Sequence, residues 1–387
     1  MLYEVWLRDR NLQRIHPIED FVQLTLNMKF NDAGSWTCEM PLDSPDADRL
    51  IQARAQGGGL AGIIVTRSGQ PIFSGPIRHV EVLENWDKRE SDKYTFYGLD
   101  DTGLLLSRLA MPPNQKGEYQ AGAGTGIGFD VYRGKAESGL IRLVKKNIAE
   151  EATSARRIPG LITAPDLARG KTVTLRSRYH PLIEKLKEGA TAGGKLGFRV
   201  IQIDNGIIQF QVYQPEDKTS KVVFSRARGN LGGYRYMVEA AETNFAVVGG
   251  SGEGTSRYFE YTGDEPSRSL YGSWETFLDR RDTSDTEELT QAMVNHLEEK
   301  TEKTELEIRP LDIYPTRFLL EYNLGDRATV EVRKEKIQDI IRGVQIVLAK
   351  EGAKITPTVG TPGVGTRFRL FDQYRNLEAR VGNLERR

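Results

Sequence analysis

Cysteine is almost absent. One residue, Cys38, stands in a chain of 387, which excludes an internal disulfide framework and a thiolate metal cluster. Set in an alternating strand pattern, it reads as a small buried hydrophobe. Histidine is nearly as scarce: His16, His79, His180 and His296 lie far apart, none at a metal-ligand spacing from another, so no metal site and no cofactor are expected. No apolar run approaches the roughly 20 residues of a spanning helix, and the opening MLYEVWLRDR lacks a signal peptide's apolar core. The expectation is synthesis in a cytoplasm. Charge of one sign is missing too. Lys plus Arg and Asp plus Glu number 54 each, so no basic surplus argues for a nucleic-acid or membrane partner. Catalytic signatures are lacking: there is no G-x-S-x-G elbow and no H-E-x-x-H. The glycines at 249, 250, 252 and 254 follow a strand, but without the lysine or spacing of a phosphate loop. The glycines from 122 to 128 fail likewise. The chain is therefore read as a non-enzyme.

What is present is strand grammar. Thirty-nine glycines and 28% charged residues suit a strand-and-loop-rich protein with polar surfaces. Residues 1–110 hold short strand candidates separated by Gly, Pro, Asn and Asp, an N-terminal β-domain of sandwich or barrel type. In 21–30, Leu24, Leu26 and Met28 alternate with Gln23, Thr25 and Asn27, so one face of that sheet is wet or meets a partner. Residues 111–231 read as an α+β middle domain. Leu140, Val144 and Ile148 fall at helical spacing, and a second helix begins near Pro181 and stops at Gly189. Asn205-Gly206 then joins two alternating strands in a tight hairpin, the spacing predicting positive φ at both residues.

Residues 232–351 form a second β-domain with one helix, whose start is read as a capping box at Ser284 and Glu287. It closes on the hairpin around which the chain is organised. Gly325-Asp326 is a turn, Val330 and Val332 face one way, and after a charged loop the chain returns through Gly343 to Val344 and Ile346 on one face. Residues 62–82 repeat that order of parts, with Gly75 in the place of Gly343. Residues 352–366 read as a linker. In 367–387, Leu370, Tyr374, Leu377, Val381 and Leu384 keep a 4-3-4-3 spacing, a coiled-coil-like helix for self-association. The fold class expected is mixed and mainly β: two related β-barrel or sandwich domains, an inserted α+β domain and a C-terminal helix.

Four stretches carry a resemblance: YGLDDTGLLLSRLAMPP at 97–113, GNLGGYRYMVEAAETNFAVVGGSGEGTSR at 229–257, NLGDRATVEV at 323–332 and RGVQIVL at 342–348. In their order the chain resembles, over residues 1–360, the tail-hub (baseplate hub or minor tail) proteins of long-tailed bacteriophages, of the actinobacterial siphovirus type. The resemblance implies a virion structural protein: a homotrimer whose paired β-domains form a pseudo-sixfold ring that continues the tail tube and passes DNA during genome ejection. It implies contacts with a distal tail ring, the tape-measure protein and tip or fibre proteins, with no stable membrane association. Two other classes stay open on the residues: a tail-tip cell-wall hydrolase or peptidase, and a carbohydrate- or receptor-binding β-protein using Tyr271 or Trp274.

Overall fold

In the computed structural model the described residues are 3–84, 92–114, 116–119, 128–311, 313–333 and 335–360. Among these residues strand accounts for 44% and helix for 19%, with no closed barrel, so the fold is mainly β as the alternation predicts. It divides into two compact units, Met1–Gly232 with Arg309–Pro357, and Gly233–Ile308 with Thr358–Arg387. The first break falls inside the glycine-rich stretch 229–257.

In the first unit, β1 (Tyr3–Arg8) pairs with β2 (Arg14–Pro17), and β3 (Gln23–Lys29) pairs with β4 (Ser35–Pro41). A helix the sequence pattern did not disclose follows, α1 (Pro45–Ala55). Ser44 caps it by accepting from the Ala47 N–H at 3.3 Å, and a proline occupies its first turn. Strands β5 (Gly62–Arg67) and β6 (Gln70–Leu83) turn through Ser68 and Gly69, both at positive φ, the conformation that a two-residue hairpin of this twist demands. Strand β7 (Lys93–Leu99) lies between β4 and β6. Glycine is obligatory on β6, because a Cβ on Gly75 would stand 2.0 Å from the Leu99 carbonyl oxygen.

The middle stretch runs β8 (Leu109–Ala110), β9 (Asp130–Lys135), α2 (Ala136–Asn147), β10 (Leu161–Thr163), β11 (Thr172–Ser177), β12 (His180–Pro181), α3 (Leu182–Ala192), β13 (Gly197–Asp204) and β14 (Ile207–Tyr213). Leu140 and Val144 of α2 and Leu182 and Leu186 of α3 share one core with Phe198, Val200, Ile208, Phe210 and Val212 of the hairpin. The α3 helix passes Gly189 and ends at Ala192. At the hairpin tip only Gly206 has positive φ. Asn205 instead turns its side-chain oxygen to the Arg14 N–H at 3.1 Å, so it fastens the tip to β2.

After β15 (Val223–Phe224), strand β16 (Leu231–Glu239) leads into the second unit, which holds β17 (Phe245–Gly249), β18 (Phe259–Gly263), α4 (Glu265–Tyr271), β19 (Glu275–Asp279) and α5 (Thr286–Lys300). The cap of α5 is Asp285, whose carboxylate accepts from the Glu287 and Glu288 N–H groups, in place of Ser284. A carboxylate at this position also complements the helix dipole, which a hydroxyl does not. Strand β20 (Lys303–Pro310) leads out again.

The chain returns through β21 (Arg327–Val332), β22 (Glu335–Ala349) and β23 (Gly352–Gly360). One half of β22 pairs with β21 and the other pairs antiparallel with β3, from Gly343 opposite Lys29 to Ala349 opposite Gln23. Val344, Ile346 and Leu348 thereby join Met28, Leu26 and Leu24 in the core, so stretches from both ends of the chain belong to one open sheet, β22-β3-β4-β7-β6-β5-β1-β2. Residues 367–387, read as a coiled-coil-like helix, lie outside the described residues.

The sheet and the middle stretch are tied through a buried ion pair. Both Arg8 and Asp101 are fully buried, with Arg8 Nη2 2.6 Å from Asp101 Oδ1 and Arg8 Nη1 2.7 Å from Oδ2. Arg8 Nε donates to the Leu60 carbonyl oxygen, and Nη1 also reaches Gln202 Oε1 at 3.1 Å. Ser74 Oγ donates to Asp101 at 2.6 Å while accepting from the Gln202 N–H at 2.8 Å. Strands β1, β6 and β13 thus converge on one pair of charges. Losing one partner leaves an uncompensated charge in a dry core. Asp101→Ala is therefore expected to cost about 3–5 kcal/mol, read as a lowered denaturant midpoint with unchanged slope. A midpoint within error of the parent would show that the pair does not hold the unit together.

Candidate assembly surfaces

Three features of the described residues stand apart from simple core packing. The first is the second face of the large sheet. Its register places Val347, Thr25, Thr37, Tyr97 and His79 in one row, and Gln345, Asn27 and Ser35 in the next. Gln345 Nε2 donates to Asn27 Oδ1 at 3.0 Å, Asn27 Nδ2 to Ser35 Oγ at 3.3 Å, and Gln23 Nε2 to Thr25 Oγ1 at 3.2 Å. Lys93 is paired with Glu39 at 3.0 Å. The result is a half-buried polar face that bonds largely to itself, with Glu81 on it accepting from the Tyr97 hydroxyl at 2.7 Å, the wet face that the alternation of 23–28 announces.

The hairpin residues singled out from the sequence lie beneath and beside it. Val330, Val332, Val344 and Ile346 are buried core. Gly325 takes φ 89°, and buried Asp326 accepts from the Glu216 N–H at 2.8 Å and the Asn323 N–H at 2.9 Å. Gly343 opens the pairing with β3. These residues build the sheet; the polar groups of the second face are their neighbours one position away. Leu370, Tyr374, Leu377, Val381 and Leu384 lie outside the described residues.

The second feature is a cavity of about 480 Å³ in the first unit, lined among others by Asp100, Arg199, Tyr213, Phe318 and Leu324. Arg199 Nε donates to Gln211 Oε1 at 2.9 Å. Burial pushes the Asp100 carboxyl up to about 7, against its hydrogen bond from the Gly103 N–H, and neighbouring Asp101 adds to the rise. Nothing in the sequence pattern brought Asp100, Arg199 and Tyr213 together.

The third lies on the second unit's sheet, β18-β17-β19. Ala246 and Val248 face Leu289 and Met293 of α5. The opposite face carries Phe245, Val247, Tyr261, Phe259 and Phe277. Phe245 stacks on Tyr261 with centroids 5.7 Å apart, and Phe259 lies 6.3 Å from Phe277. Arg257 sits over both latter rings, paired with Asp279 at 2.6 Å. Arg257 also donates to the Gly249 and Gly250 carbonyl oxygens, so the glycine cluster ends in a clasped turn. Exposed Trp274 donates its Nε1–H to the Tyr271 carbonyl oxygen.

Among the described residues no three His, Cys, Asp or Glu side chains group as metal ligands, and no helix is long and apolar enough to cross a membrane. The sequence matches the siphovirus ReqiPepy6 Gp37-like family over residues 4–361. No curated protein matches it. In fold it is similar to the tail protein from Neisseria meningitidis MC58, at TM-score 0.58 and 11% identity, covering 94% of this chain and 98% of that one. It is also similar to the 43 kDa tail protein of prophage MuSo2 from Shewanella oneidensis, at TM-score 0.57 and 10% identity over 92% and 98%. A third similar fold is prophage tail protein gp18 from Listeria monocytogenes EGD-e, at TM-score 0.54 and 8% identity over 96% and 98%.

The Asp100 carboxyl supplies a test of the cavity. Its folded value lies above the ordinary 3.8, so the folded state binds more protons in that window and Asp100's contribution to stability falls as pH rises towards about 7. Asp100→Asn keeps the acceptor for Gly103 and removes the titration. Relative to the parent, its melting temperature is expected to be several degrees better at pH 8 than at pH 5; an offset equal at both pH values would refute the assignment.

Proposed function

The chain belongs to the siphovirus ReqiPepy6 Gp37-like family, and we propose that it is a structural subunit of the phage tail tip: a homotrimeric tail hub that continues the tail tube towards the cell and encloses part of the DNA passage. The observation that carries this reading is the polar face of the large sheet. Three copies, each offering a sheet that joins β22 to β3, tile around an axis with that face towards the lumen. Cations are what give proteins sequence-independent affinity for DNA, through release of counterions from its phosphates. A lining of Thr25, Asn27, Ser35, Thr37 and Gln345, with Lys93 already tied to Glu39, stays wet and holds DNA weakly. DNA in such a passage slides. The role is mechanical, without a reaction of its own. Its neighbours in the virion are a distal tail ring, the tape-measure protein and tip or fibre proteins, and it is made in the host cytoplasm.

Imaging of particles carrying a tag on an exposed loop of this chain should place it at the tail tip; density elsewhere overturns the reading. Purified protein, at 43.5 kDa per chain, is expected to scatter light as a species of about 130 kDa when its ring closes. The pair Thr25→Lys and Thr37→Lys should leave assembly intact, tighten binding of duplex DNA at low salt and slow genome ejection several-fold. Ejection at the parental rate would remove this face from the lumen.

A further inference from the structure

Strand β17 reads Phe245, Ala246, Val247, Val248, an apolar run without alternation, and it pairs parallel with β19. Both are marks of a strand covered on two sides. Among the described residues only one side is covered. There α5 packs Leu289 and Met293 against Ala246 and Val248. On the other, Tyr261 is 74% exposed, and Phe259 and Phe277 are each 51% exposed. Helix α4 reaches only the Phe245 end, where Arg268 sits over that ring at 4.9 Å. A bare aromatic face of this kind calls for a third layer.

The sequence names a candidate for that layer. The neutral whole hides an uneven division: residues 233–308 carry seventeen acidic against seven basic side chains, whereas residues 361–387 carry six arginines against three acids. The last described strand delivers the chain to the same unit, since Gly360 pairs with Glu305 of β20. Nine residues then precede Leu370, a reach of up to about 30 Å when extended. From there Leu370, Tyr374, Leu377, Val381 and Leu384 supply one apolar edge among arginines.

We propose that residues 370–384 dock in cis on the Phe245, Val247, Tyr261, Phe259 and Phe277 face of their own unit, completing a layer on the side of the sheet away from α5. Tethering turns this into an intramolecular contact at millimolar effective concentration, so modest affinity suffices. The surplus of acid on the unit holds the arginine-rich segment, and the rings receive its apolar edge. This use of the segment competes with its pairing between chains, and it stands independently of the tail-hub role.

Disulfide trapping in the full-length chain tests it. Tyr261→Cys or Phe277→Cys is combined with Leu377→Cys; the native Cys38 is buried and its thiol is pushed well up by that burial, so it stays out of the exchange. Under mild oxidation these pairs are expected to close within one chain about tenfold faster or more than a control pair of Val22→Cys with Leu377→Cys, as a tethered encounter requires. Raising the salt concentration should slow the closure. Bridges forming at the control rate, or only between two chains, overturn the proposal. Because both ring positions are exposed, a failure to bridge cannot be laid to unfolding, which circular dichroism of the variants verifies.

Discussion

A buried guanidinium and carboxylate decide how the first unit is put together. Arg8 stands at the end of β1 with Val5 and Leu7 pointing to the opposite side, and both sides are covered. A charge so placed is tolerable only when it is paired and hydrogen-bonded, and Arg8 meets that demand with four bonds, to Asp101, Leu60 and Gln202. Each acceptor comes from a different part of the chain, so the network acts as a register mark. The β13 hairpin can sit on β1 and β6 in only one way. Ser74, donating to Asp101 and accepting from Gln202, links the two halves of that mark.

Periodicity disclosed most of the local elements because their causes are local. The alternation of Leu24, Leu26 and Met28, the two middle helices, the hairpin at 205–206 and the turn at 325–326 each follow from spacing and turn chemistry within a few residues. What stayed hidden depends on partners far along the chain. That β22 would pair with β3 is written in neither stretch, since any half-buried strand offers the same edge. Asn205 signalled a turn, yet its side chain is committed to Arg14, which no spacing rule reveals. Helix α1 escaped because its buried residues, Ala47, Leu50 and Ala53, make a thin stripe between charged neighbours. Arg8 left one faint signal: a charge in a short strand among Val5, Trp6 and Leu7.

Composition misled in one respect. A net charge of zero suggested surfaces without electrostatic preference, but the balance is struck between segments. Residues 233–308 carry ten more acids than bases, residues 361–387 three more bases than acids, and the rest of the chain supplies the remaining positive charge. The polar face of the large sheet is balanced in another manner, through amides and hydroxyls that bond to each other and a Lys93–Glu39 pair.

The pairing of Gln345 with Asn27 joins residues 318 apart in sequence, and this has a temporal side. A ribosome releases β3 about three hundred residues before β22, so throughout that interval one edge of β3 has no strand beside it. Open edges recruit whatever strand is at hand, including those of sister nascent chains. Copies made side by side must therefore be kept apart until β22 emerges, and the yield of sound subunits depends on that wait.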